Sequence, residues 1–159
     1  PKCLLCPVQP SCAAAKAGDM ETYPVKAPKK VKPTRRAVSF WLEHDGHILL
    51  ERRPQTGLLG GMPGLFSSPW VERADFPDAA EIEAVFSEHF NDQTSIDSDL
   101  CEKPGKAKHT FTHFHLETKL FSTQSIMKFN MDNGFWHPID RLDEIGLPTV
   151  FKKIAKLGL

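Results

Sequence analysis

Hydrophobic and polar positions alternate most cleanly from Phe114 onward. Phe114, Leu116, Thr118 and Leu120 take one parity, and His115, Glu117 and Lys119 the other. A period of two is that of a half-buried strand. Phe111 falls on the opposite parity, so a continued register would aim its ring at solvent beside His109, Thr112 and His113. The pattern predicts the longest strand within Ala107 to Phe121, with Phe111 as an exposed candidate tip.

The rest of the chain reads in the same terms. Arg36 to Leu42 is a strand, Asp45-Gly46 is a mirror-image hairpin turn, and Ile48 to Arg53 returns until Pro54. Residues 55–66 hold four glycines and a proline, a shaped loop. No Lys-Ser/Thr follows the glycines, which excludes a P-loop. Asp78 and Glu81 have the spacing of a capping box, and Ile82, Val85 and Phe86 lie on one helical face. Further strands are expected at Leu100 to Glu102, Ile126 to Phe129 and Gly134 to Ile139, and a last helix at Val150 to Lys156. This order implies an α+β fold with a mixed or antiparallel sheet and two helices. Trp41, Trp70 and Trp136 are expected in the core.

The chain has 159 residues, enough for one domain with a real core. Its formal charge is zero but unevenly spread. Residues 1–36 carry eight basic and two acidic side chains, and residues 72–102 carry ten acidic and one basic. That polarity suits a body that meets a polyanion with one side, although a basic tail and a solvated acidic helix would give it too. No run is long and apolar enough to span a membrane, and no signal-peptide pattern opens the chain.

Cys3, Cys6 and Cys12 cluster near the start, with Cys101 far away. Disulfides within the cluster would close very small loops, so metal or iron–sulfur ligation is the better reading. Cys101 is expected as a small buried hydrophobe. Between Ala13 and Arg36 the chain is poor in large apolar residues, and Pro24, Pro28 and Pro33 oppose a helix. This is an extended connector whose Lys29, Lys30, Lys32, Arg35 and Arg36 are candidate phosphate contacts.

Three motifs together resemble the C-terminal portion of MutY-type adenine DNA glycosylases. They are the cysteine spacing, the segment Arg53 to Met62 (Arg-Pro-Gln-Thr-Gly-Leu-Leu-Gly-Gly-Met), and His109-Thr110-Phe111-Thr112-His113, which is similar to the family's H-x-F-S/T-H loop. Pro63-Gly64-Leu65-Phe66 departs from the family's Trp-Glu-Phe-Pro-like segment. The resemblance implies residues 1–15 as the remnant of an iron–sulfur loop, 16–35 as the interdomain connector, and 36–159 as a Nudix-like domain. It implies that Phe111 presses on the base stack, that Thr112 hydrogen-bonds 8-oxoguanine opposite adenine, and that His109 and His113 position the loop. A 4Fe–4S cluster is implied for the parent protein, with Cys3, Cys6 and Cys12 as three of its ligands and the fourth preceding Pro1. Implied partners are double-stranded DNA with an A:8-oxoguanine or A:G mispair, the N-terminal glycosylase domain, and a sliding clamp at the connector. The implied setting is the bacterial cytoplasm or a eukaryotic nucleus. The adenine pocket would lie in the N-terminal domain, so this segment would cleave nothing alone.

Rival readings meet specific gaps. An active Nudix pyrophosphatase needs an Arg-Glu followed by Glu-Glu on its metal-binding helix, and no such set follows Gly64. A histidine zinc site at His109, His113 and His115 lacks an acid at a fixed spacing. A protein-interaction role for the connector is compatible with DNA recognition.

Overall fold

Asp45 and Gly46 turn the chain with φ of 44° and 66°, the left-handed pair of a two-residue mirror-image turn. The turn sets His44 opposite His47, so Thr34–His44 (β1) and His47–Arg52 (β2) pair antiparallel. In this computed structural model, residues 1–26, 31–91, 93, 95–97 and 99–159 are described. They fall into two units, Pro1–Val31 and Lys32–Leu159.

The first unit is a string of short turns. Three-residue 3-10 segments run at Cys3–Leu5, Gln9–Ser11 and Met20–Thr22. Between them Ala13–Ala17 forms a helix (α1) that ends at left-handed Gly18. None of this unit's described residues is buried, and Leu4, Leu5 and Val8 are largely exposed. Such a segment has no core of its own.

The second unit is one eight-stranded mixed sheet with a helix on each face. After β2 come Pro63–Gly64 (β3), Val71–Glu72 (β4), Ala79–Phe90 (α2), Cys101–Glu102 (β5), Ala107–Thr110 (β6), His115–Gln124 (β7), Gly134–Pro138 (β8) and Thr149–Ala155 (α3). The central order is β3-β2-β1-β7-β5, with β4 on β1, β6 on β7 and β8 on β2. The β1–β7 pair is parallel, from Thr34 opposite His115 to Glu43 opposite Gln124. The other strand pairs are antiparallel, which makes the sheet mixed.

Strand alternation builds two cores. Ala37 and Trp41 of β1 face Val150, Phe151 and Ile154 of α3. Val38, Phe40 and Leu42 face the other way, toward Ile82 and Phe90 of α2. A strand buried on both faces reads as a continuous apolar run, and Ala37 to Leu42 is one apart from Ser39. The expected capping box forms: the Asp78 side chain accepts from Glu81 N at 2.9 Å, and the Glu81 carboxylate accepts from Asp78 N at 3.0 Å.

Several expectations are revised. Ile126 to Phe129 is not a strand; Ser125 makes a single bridge to Ile96 and the chain leaves the sheet. Cys101 is exposed, because β5 is a two-residue edge strand held only by β7. Trp41 is buried, but Trp70 and Trp136 are half-buried. The sheet unit also takes in the end of the basic connector, since β1 begins at Thr34.

Candidate nucleic-acid interface

The stretch from Ala107 onward is a hairpin. β6 and β7 pair through His109 opposite Leu116 and Thr110 opposite His115. Phe111 N then donates to Phe114 O at 2.9 Å, which closes the reversal. Thr112 and His113 are left exposed at the tip.

The turn resets strand parity. Phe111 is therefore half-buried instead of aimed at solvent, which corrects the expectation drawn from a continued register. Its ring sits 4.6 Å from His109, 4.7 Å from Phe114 and 5.6 Å from Trp70, centroid to centroid. Trp70 lies in turn 6.1 Å from the buried Phe151 of α3. Two guanidiniums cover this group of rings, Arg35 at 4.3 Å over Phe114 and Arg53 at 5.2 Å over Trp70. Aromatic packing and cation–π contacts of this kind hold a loop tip on a rigid base.

The hairpin backbone is tied down on both sides. Lys32 Nζ donates to Phe111 O at 3.0 Å, and His115 N donates to Pro33 O at 2.9 Å. Lys153 Nζ donates to Lys108 O at 3.1 Å. Thr110 Oγ1 and His115 Nδ1 are 2.9 Å apart. His109 is half-buried, and its Nδ1 has no hydrogen-bond partner. Burial, aided by the Lys153 charge, holds its pKa below the ordinary histidine value, so the neutral ring is favoured.

One carboxylate organises the cations beside the hairpin. Glu117 faces Lys106 at 3.0 Å, Lys108 at 3.3 Å and Arg36 at 3.4 Å. The hydrogen bond from Lys106, supported by Lys108, holds its carboxyl below the usual range. One negative charge against three leaves this side of the hairpin positive.

The candidate phosphate contacts are placed differently from expectation. Lys29 and Lys30 lie outside the described residues. Lys32, Arg35 and Arg36 are half-buried. Lys32 bonds the Phe111 carbonyl, Arg35 stacks on Phe114, and Arg36 bonds Arg73 O and Glu117. The connector's end is part of the sheet, so these side chains do not project freely.

A cleft of about 430 Å³ opens beside Trp70, between the glycine-rich loop and α2. Its carboxylates are Glu51 and Glu88. Burial pushes the Glu51 carboxyl above its ordinary value, with Arg53 and His89 opposing. Glu81 is engaged elsewhere, in the helix cap and in an ion pair with Arg73 at 2.8 Å. Among the described residues no group of three or more His, Cys, Asp or Glu side chains could hold a metal ion. That statement covers His109, His113 and His115, and also Cys3, Cys6 and Cys12. The three thiols are free, with Cys6 exposed and the other two half-buried. They supply one ligand fewer than a four-cysteine cluster takes and are not gathered around one point.

Trp70, Lys153 and the inward role of Lys32 were not signalled by the local pattern. Their partners lie about forty to eighty positions away, so no short-range spacing marks them.

Residues 37–157 match the family model described as the NUDIX domain. In sequence the chain is 25% identical over 160 residues to the adenine DNA glycosylase of Buchnera aphidicola subsp. Acyrthosiphon pisum (strain APS). That alignment takes in 98% of this chain and 42% of the relative, so the chain spans about two fifths of that protein's length. Among solved structures, the C-terminal domain of mouse MUTYH, crystallised with human PCNA, matches with a TM-score of 0.60 at 15% identity. The match covers 78% of this chain and 86% of that one. The MutT protein of Methanosarcina mazei Go1 also matches with a TM-score of 0.60, at 14% identity over 80% of this chain and 94% of that one. The two structural likenesses are equally good and show the fold alone. No helix among the described residues is long and apolar enough to cross a membrane.

Proposed function

The chain belongs to the NUDIX-domain family through residues 37–157, and within that family we propose that it is the lesion-reading part of an adenine DNA glycosylase. In this role it recognises 8-oxoguanine opposite adenine, and another part of the same enzyme removes the adenine. The observation that carries the reading is the hairpin tip. Thr112 and His113 are exposed beyond a base of packed rings that Arg35 and Arg53 cover. The similarity to the Buchnera glycosylase supports it.

The chemistry suits the lesion. Oxidation of guanine on its imidazole edge turns an acceptor nitrogen into a donor and adds a carbonyl oxygen. The Thr112 hydroxyl both donates and accepts, and its backbone N–H donates, so together they answer that edge. In this reading Phe111, whose ring packs on Trp70, presses on a base step beside the lesion. Two such contacts discriminate by about 1–3 kcal/mol. Removing adenine requires the base to be extruded into a separate pocket, so this chain alone is expected to release none.

Hydrolysis of nucleoside diphosphate linkages, the runner-up for this fold, is disfavoured by the cleft. A metal-dependent hydrolase must bridge a pyrophosphate with bound ions. Glu51 and Glu88 are two acids, one of them held toward its neutral form. A sliding clamp is proposed as a protein partner, supported by the likeness to the MUTYH domain crystallised with PCNA. Capture of a clamp by this chain, lost on deletion of residues 20–31, which lie outside the sheet unit, would support that part. Cys3, Cys6 and Cys12 enter no step.

The test is a comparison of A:8-oxoguanine with A:G duplexes in the glycosylase that carries this chain. Phe111→Ala and Thr112→Ala should each erode the preference for the oxidised base. Wild-type preference in both variants would overturn the reading.

A further inference from the structure

We propose that Lys32 is a positioning residue for the lesion-reading turn, fixing the direction in which the Thr112 amide points. Lys32 and Pro33 bracket the turn. The Lys32 ammonium donates to Phe111 O at 3.0 Å, and Pro33 O accepts from His115 N at 2.9 Å. The reversal is thus stapled to the chain just before β1 at both its ends.

The first of these bonds falls on a peptide with a special place. Phe111 N is spent on Phe114 O, at the point where the β6–β7 ladder stops. Its carbonyl is then satisfied by the Lys32 ammonium. The Phe111–Thr112 peptide is planar, and in a trans peptide the C=O and the following N–H point in opposite directions. Holding the carbonyl inward toward Lys32 therefore turns the Thr112 N–H outward. Among the described residues no backbone or side-chain acceptor takes that N–H. An outward, unpaired amide that donates, beside a hydroxyl that can accept, matches the added oxygen and the new N–H of an oxidised guanine edge. The mechanism gives Lys32 a task different from phosphate binding. It spends its charge inside the protein, on a carbonyl that never touches DNA. The inference rests on reading this hairpin as the lesion contact.

The test uses the whole chain with Lys32→Met, Lys32→Arg and Thr112→Ala. Binding to A:8-oxoguanine and A:G duplexes is followed by fluorescence anisotropy over a range of salt. Lys32→Met should lower the preference for the oxidised base by about tenfold, the low end of what a hydrogen bond to a charged group contributes. The slope of log affinity against log salt should stay unchanged, and Lys32→Arg should restore the preference. Equal weakening on both duplexes, with a slope smaller by about 0.9, would make Lys32 a phosphate contact and overturn the proposal. Thr112→Ala separates the layers: if it keeps the full preference, the hairpin is not the reader, whatever Lys32 does. A readout without DNA then still decides about Lys32. In wild type the Phe111 amide should exchange with solvent more slowly than in Lys32→Met; identical exchange would sink the positioning role.

Discussion

Replacing Trp70 by alanine probes whether the reading tip owes its rigidity to the sheet. A fully buried Trp or Phe truncated to alanine costs about 3–5 kcal/mol. Trp70 and Phe111 are each half-buried, so about 2 kcal/mol is expected for each single change. The rings lie 5.6 Å apart at 34°, within the range where an aromatic pair contributes about 0.5–1.5 kcal/mol beyond area. The double variant should therefore lose about 3 kcal/mol, less than the two single losses added together. Urea denaturation followed by far-UV circular dichroism on the four proteins measures the coupling, with equal m-values as the check that the denatured state is unchanged. Trp70→Ala should also lower the 8-oxoguanine preference about threefold, although Trp70 need not touch DNA. Additivity within about 0.3 kcal/mol would mean that the two rings do not support each other, and the picture of a wedge on a rigid base would fail.

Three further outcomes follow from the geometry. Gly64→Ala should destabilise the protein by about 1–3 kcal/mol, because its Cβ would lie 2.9 Å from two atoms of the buried Phe151 ring; an unchanged melting temperature would show that the ring yields. Glu117 has a lowered carboxyl pKa, so its contribution is present above its ordinary value of 4.5 and is lost as pH falls through the lower folded value. The stability gap between wild type and Glu117→Gln should accordingly close on the acid side, and a gap independent of pH would contradict the assignment. With magnesium, the chain should hydrolyse 8-oxo-dGTP no faster than Glu88→Gln; clear wild-type turnover absent from that variant would restore the hydrolase reading.

What could be read from the chain was local. Asp45-Gly46, the Asp78/Glu81 cap and the alternation from Phe114 to Leu120 each depend on neighbours within a few residues, and each appears in the structure. The failures are those of partners far away in sequence. Phe111-Thr112-His113-Phe114 contains no glycine, proline or asparagine, so nothing nearby marks a reversal. The turn there is held by Lys32, Pro33 and Trp70 from elsewhere in the chain. Cys101 reads as a core residue until the sheet order places β5 at an edge. The departure at Gly64 also acquires a reason: the absent side chain leaves room for the ring of Phe151.

The parallel pairing of β1 with β7 has a kinetic consequence. Every residue pair in it joins positions about eighty apart, a separation of the kind that raises contact order and slows folding. On a ribosome adding about 5–20 residues per second, β1 waits roughly 4–16 seconds for its partner to be made. During that interval β1 has β2, β4 and α2 available, which can cover Phe40 and Leu42, but Trp41, which faces α3, is still open to solvent or to a chaperone. The hairpin that carries Phe111 and Thr112 gains its support only when β7 docks. Nascent or truncated chains ending before about residue 124 should therefore bring aggregation-prone strands and no reading surface, and the reading surface should appear together with the completed sheet.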